Sequence, residues 1–170
     1  MESRKWVEER SSDGESSIKK GLGGWVWSGI IIAGSFLLMN IVIDTSAIIA
    51  VIADEPEKAR LIELTKGVTL VVPPSIKWEI GNAFSAMLKR SRITLEQAIS
   101  GIEVYHSITM ETVEINLKDA IQLSGKYSIY AYDAYILQCA IEYGLPLISL
   151  DKDLVEIAKR ENIQVIEVSP

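Results

Sequence analysis

Asn40-Ile41-Val42-Ile43-Asp44-Thr45-Ser46-Ala47 places a short apolar strand, an acid and the mouth of a helix in immediate succession. The strand Asn40–Ile43 is apolar on both faces, so both faces are expected to be covered. The same alternation runs down the chain. Ala47–Ala53 reads as a helical turn or two, and Glu55–Lys66 as a helix. Val68–Val72 is an apolar, mostly β-branched run stopped by Pro73-Pro74. Ser75 is expected to cap a helix reaching about Arg90, with Ile76, Ile80, Ala83 and Met87 as its apolar stripe. Thr94 caps the next helix, and Thr109–Ile115 reads as a strand. Leu117–Lys126 and Tyr130–Tyr143 read as helices, the second closed by Gly144. Strand Pro146–Ser149, helix Leu154–Glu161 and strand Ile163–Val168 complete the series. Strands buried on both faces between helices predict an α/β, Rossmann-like fold of three layers: a mostly parallel central sheet flanked by helices.

The 170 residues, 48% apolar and 24% charged, suffice for one domain. A chain of this size buries roughly 70% of its unfolded surface without needing a disulfide or a structural metal. One cysteine, Cys139, excludes a disulfide framework, and with one histidine, His106, it excludes a Cys/His zinc site and a histidine-based hydrolase centre. Chemistry is left to carboxylates, hydroxyls, Lys and Arg. With 23 acidic against 17 basic residues, the net charge of −6 argues against a broad basic surface coating nucleic acid. It leaves room for an enzyme that grips nucleic acid through metal ions and a small basic rim.

Composition changes near Met39. Residues 1–24 are polar and aperiodic; an apolar run follows from Trp25 to Leu38, and charge is absent from Gly21 through Ile43. That span is long enough for a membrane helix, but such a helix would consume the strand Asn40–Ile43. Three readings of residues 1–38 stand: a dispensable or mistranslated extension ahead of a true start at Met39, a membrane anchor, or a packed helix. The expected division is an extension over 1–38 and a folded domain over 39–170. The cytoplasm is the expected location, with the membrane a partner only if residues 21–43 are an anchor.

Asp44 and Asp151 each fall at the carboxyl end of a strand, where open parallel sheets place their ligands. They can therefore converge from opposite ends of the sequence. Glu79 and Asp133 lie in otherwise apolar helix starts, Trp78-Glu79-Ile80 and Tyr132-Asp133-Ala134. Each alone fits a carboxylate favoured by a helix dipole. Four converging carboxylates repel one another unless a divalent cation removes the penalty. Oxygen-only ligands suit Mg²⁺ or Mn²⁺, in a site that activates water for displacement at phosphorus.

Other residues are placed to assist. Thr45 and Ser46 stand where helix N–H groups favour a phosphate, although ordinary capping explains them equally. Ser149 can orient a carboxylate or a water, and Asn82 lies one turn from Glu79 on the same side. Lys89, Arg90 and Arg92 can contact a nucleic-acid backbone; they also fit the preference for cations at helix C-termini. The tyrosines at 127, 130, 132 and 135 are read as core and interface.

Taken together, Met39–Ala47, Pro74-Ser75-Ile76-Lys77-Trp78-Glu79-Ile80-Gly81-Asn82-Ala83, Tyr132-Asp133-Ala134-Tyr135 and Leu147-Ile148-Ser149-Leu150-Asp151-Lys152-Asp153-Leu154 resemble the four motifs of PIN domains, especially VapC toxins. The resemblance covers residues 39–170, with Ser149 where threonine is usual. It implies a PIN-like fold and an Mg²⁺- or Mn²⁺-dependent ribonuclease built on Asp44, Glu79, Asp133 and Asp151. It also implies a homodimer and a small antitoxin partner. Residues 1–38 have no counterpart in such toxins, which favours a misplaced start. A haloacid-dehalogenase-type phosphatase would need an acid where Ser46 stands, and a receiver domain an acidic neighbour to Asp44. The remaining alternatives are a PIN-fold RNA-binding or regulatory module, and an RNA-processing nuclease outside a toxin–antitoxin pair.

Overall fold

The structure, a computed structural model, describes residues 30–33 and 36–168. The polar segment 1–24 and the start of the apolar run lie outside the described residues. Residues 30–33 form β1 (Ile30–Ala33), which pairs antiparallel with β2 (Phe36–Ile43). The strand before Asp44 thus begins four residues ahead of the expected Asn40, because its apolar sequence continues unbroken upstream. No described helix is long and apolar enough to cross a membrane.

Beyond β2 come α1 (Thr45–Ile52), α2 (Lys58–Leu64), β3 (Thr69–Val72), α3 (Ile76–Lys89), α4 (Leu95–Ser107) and β4 (Met110–Thr112). They are followed by α5 (Leu117–Tyr127), α6 (Ala131–Tyr143), β5 (Leu147–Ile148) and α7 (Lys152–Arg160). The parallel sheet runs β5-β2-β3-β4, with Ile43 paired to Ile148 and Val42 to Val71. The expected strand Ile163–Val168 reduces to one parallel bridge, Leu147 to Val165. β5 is only two residues long and gives a longer neighbour nothing further to pair with.

Three of the four parallel strands carry buried apolar residues: Ile41, Val42 and Ile43 of β2, Val71 and Val72 of β3, and Leu147 and Ile148 of β5. Two helices contribute to the same core. α3 contributes Ile76, Ile80 and Phe84, an i, i+4, i+8 stripe. Phe84 takes the place expected of Ala83, which instead lines a cleft. α6 buries Ala134 and Ile136 through Ala140 around most of its circumference, as a helix at the centre of the molecule must.

Local signals behave unevenly. Thr94 caps α4 through a full capping box with Gln97, and Gly144 closes α6 in the left-handed conformation at φ 61°. Ser75 precedes α3, but its hydroxyl does not cap the helix. Its backbone is already helical, which turns the side chain away from the free N–H groups, and the hydroxyl is buried without a partner.

Candidate active site

Parallel register builds the site. Ile43 sits opposite Ile148, and Asp44 N donates to Ile148 O at 2.9 Å, so the residues leaving β2 and β5 emerge side by side. Asp44 and Ser149 are both buried there, at 4% and 6% exposure. Ser149 Oγ donates to Asp44 Oδ2 at 2.8 Å, and Ser46 Oγ donates to the same oxygen. Leu150 N donates to Ser46 Oγ and Asp151 N to Ser149 Oγ, both at 3.0 Å. Two hydroxyls thus hold one oxygen of Asp44 and tie it to the backbone that carries Asp151. Among the described residues Oδ1 of Asp44 receives no hydrogen bond.

Glu79 enters from the first turn of α3 and Asp133 from the first turn of α6. With Asp44 and Asp151 they line one open cleft of about 570 Å³, whose wall also includes Thr45, Ser46, Asn82 and Ala83. Four elements remote in sequence therefore bring the four expected carboxylates together. Their electrostatics record the meeting. Burial pushes Glu79 up to about 7, reinforced by the charge of Asp44 and more weakly by Asp133; the nearby Thr45 hydroxyl opposes the shift. Asp133 is raised by burial, then by Asp44 and Asp151. Glu79 Oε2 and Thr45 Oγ1 are both buried without a hydrogen-bond partner.

The cluster is open. Among the described residues no three His, Cys, Asp or Glu side chains group tightly enough to hold a metal ion. Asp151 is also the N-cap of α7, its Oδ1 accepting from Asp153 N at 2.9 Å and Leu154 N at 3.1 Å. The helix-terminal role weighed for these acids is thus real for Asp151, and Asp44 likewise caps α1.

Asn82 lines the cleft but makes no hydrogen bond to Glu79. Lys89, Arg90 and Arg92 do not line it. Lys89 ends α3, ten residues after Glu79 and so about 15 Å along the axis. None of the three forms an ion pair with a described residue. Cys139 is core, its thiol pushed up to about 12 by burial.

The tyrosines divide. Tyr132 and Tyr135 meet edge to face at 6.2 Å, and Tyr127, with Lys126, hydrogen-bonds Glu161. Tyr130 is not core: it is 86% exposed and lines the cleft. The signal lies in its position just ahead of α6, outside the helix's buried face.

A parallel sheet with acids at the carboxyl ends of β2 and β5, and two more supplied by flanking helices, defines an α/β protein with a carboxylate-lined cleft. The PIN domain family model matches residues 41–160, and the chain belongs to that family. Among solved structures, PAE2754 from Pyrobaculum aerophilum is similar with a TM-score of 0.56 and 20% identity, over 74% of this chain and 83% of that one. DNA-bound VapBC from Salmonella typhimurium is similar with a TM-score of 0.54 and 14% identity, over 78% and 100%. VapC20 from Mycobacterium tuberculosis, a toxin that cleaves the sarcin-ricin loop, is similar with a TM-score of 0.50 and 13% identity, over 69% and 94%. At these identities the likeness is one of fold. No curated protein matches the chain.

Proposed function

We propose that the protein is a divalent-metal-dependent endoribonuclease and the toxin of a toxin–antitoxin pair. One observation carries the reading: Asp44, Glu79, Asp133 and Asp151 line a single cleft at the carboxyl end of the sheet, with Glu79 and Asp133 held above their ordinary range by burial and by their neighbours' charge. An all-oxygen donor set, with Glu79 Oε2 buried and unpartnered, fits Mg²⁺ or Mn²⁺. Asp44, Glu79 and Asp133 would hold the ion, with Asp151 contributing the oxygen that does not cap α7. When bound, the ion offsets the carboxylate repulsion and activates water for attack on the phosphodiester.

The chain's own residues do the rest. Ser46 and Ser149 fix Asp44 in one orientation through Oδ2. Asn82 stands exposed on the cleft wall to meet the substrate backbone, while the buried Thr45 hydroxyl lies beside Glu79 to orient that carboxylate. Lys89, Arg90 and Arg92, at the far end of α3, would touch RNA beyond the scissile phosphate. A homodimer is supported by exposed apolar residues one turn apart on α4, Leu95 and Ile99. The toxin assignment draws on the VapBC and VapC20 likenesses. We place the nuclease unit at 39–170 and the protein in the cytoplasm.

A PIN-fold RNA-binding or regulatory module is the second reading, and the open spacing of the carboxylates favours it. Turnover separates the two. The full chain is incubated with labelled total RNA in Mn²⁺ or Mg²⁺, beside EDTA and Asp133→Asn controls. Cleavage lost in both controls is expected; a folded protein that binds RNA without cutting it supports the module.

A further inference from the structure

We infer that Tyr130 is a stacking platform for an unpaired base of the RNA, next to the phosphate that enters the carboxylate cleft. This rests on the ribonuclease reading above. At 86% exposure, Tyr130 is the most exposed of the large apolar and aromatic side chains among the described residues. Neither packing nor polar contact accounts for it. Its hydroxyl has no hydrogen-bond partner there, its ring pairs with no other ring, and its side chain does not cap α6. Its position is specific. Tyr130 lines the carboxylate cleft and also an adjoining pocket of about 200 Å³. Besides Tyr130, that pocket is lined by the apolar Ile129, Leu154 and Ile157 and by Ser128, Asp153 and two of the cleft's own acids, Asp133 and Asp151. An aromatic ring between an acid-lined cleft and a small, partly apolar pocket matches a nucleotide, whose phosphate and base are separated by one sugar.

Charge strengthens the argument. With a net charge of −6 and four acids in the cleft, backbone electrostatics supply little affinity for a polyanion. A non-electrostatic contact has to provide part of it, and a base on an aromatic ring does so with any base. In an A-form duplex the base faces are stacked on one another and unavailable. Tyr130 thereby selects loops, bulges and single strands.

The test uses the full chain and a short single-stranded RNA carrying 2-aminopurine at successive positions, in Ca²⁺ for binding and Mn²⁺ for cleavage. Wild type is expected to quench the probe at one or two adjacent positions. Tyr130→Ala should weaken binding roughly tenfold and remove the quench. Tyr130→Phe and Tyr130→Trp should keep both, and Tyr130→Leu neither. The same strand annealed into a duplex should show no quench. The inference is overturned if wild type does not quench, if Tyr130→Ala binds RNA as wild type does (the result expected were the ring reserved for a protein partner), or if leucine serves as well as phenylalanine. Cleavage in Mn²⁺ separates the two readings. Quenching without any cleavage removes the nuclease and keeps the platform; cleavage by Tyr130→Ala at unchanged KM removes the platform and keeps the nuclease.

Discussion

Ser149 Oγ donates to Asp44 Oδ2 at 2.8 Å, so residues 105 positions apart meet inside the carboxyl edge of the sheet. The bond is buried and charge-assisted, the class of hydrogen bond with the largest net contribution. Ser149 also accepts from Asp151 N, so one hydroxyl couples two of the site's acids.

Replacing Ser149 by alanine should therefore cost about 2 kcal/mol, read as a lower urea midpoint at unchanged slope. Ser149→Thr keeps the hydroxyl and should recover most of the loss. Cleavage by the alanine variant should fall further than stability explains, because Asp44 is freed to rotate. A midpoint equal to wild type would show that Ser46 alone holds Asp44.

Asp151 carries two roles that substitution can separate. Its Oδ1 caps α7 by accepting from Asp153 N and Leu154 N. Asparagine preserves that cap, whereas alanine removes it at a cost of about 1 kcal/mol. Asp151→Asn should melt like wild type yet lose cleavage; Asp151→Ala should lose both. Full activity in the asparagine variant would reduce Asp151 to a helix cap.

The alternation of strand and helix was legible because each buried strand is apolar on both faces and several helices carry clear end signals, Thr94 ahead of α4 and Gly144 after α6 among them. The meeting of Asp44 with Asp151 followed from their places at strand ends in one parallel sheet. What stayed hidden depends on rotamers and on pairing partners. Ser75 precedes a helix, as a cap should, but its backbone angles turn the hydroxyl away. Ile163–Val168 has strand composition, yet beside the two-residue β5 only Val165 finds a bridge. Tyr130 has the same residue type as Tyr132 and Tyr135, and its exposure follows from lying just before α6 rather than on it. The sharing of Asp44 Oδ2 by Ser46 and Ser149 needs the register of β2 against β5, which no local pattern encodes.

Gly101 on α4 faces the ring of Phe84 on α3. A Cβ there would stand 2.6 Å from Phe84 Cζ and 3.2 Å from Ile52 Cγ2. Alanine in a helix interior ordinarily stabilises relative to glycine by roughly 0.5–1 kcal/mol. Here the Phe84 ring is buried and has little room to retreat, so overpacking outweighs propensity. Gly101→Ala should lower stability by about 1 kcal/mol in a urea titration. In the double variant with Phe84→Leu, which removes the ring, the alanine should cost less than it does alone. A stabilised single variant would show that the helices separate freely at this point.

Glu79 gives the apo protein a distinctive pH dependence. Its ordinary value is 4.5, and burial with the charges of Asp44 and Asp133 raises it to about 7 in the folded state. Between those values the native protein holds a proton that the unfolded chain has released, so stability falls as pH rises through that window. The loss should be on the order of 2 kcal/mol, discounted for the open side of the cleft. Glu79→Gln removes the titrating group. In EDTA it should match wild type near pH 5 and exceed it at pH 8, with the difference growing between. Adding Mn²⁺ should reverse the order at pH 8, because the metal stabilises the wild-type carboxylate and not the amide. Thermal melts of both proteins across this pH range, with and without Mn²⁺, measure every step. Parallel wild-type and glutamine curves in EDTA would mean that Glu79 faces solvent rather than its neighbours' charge.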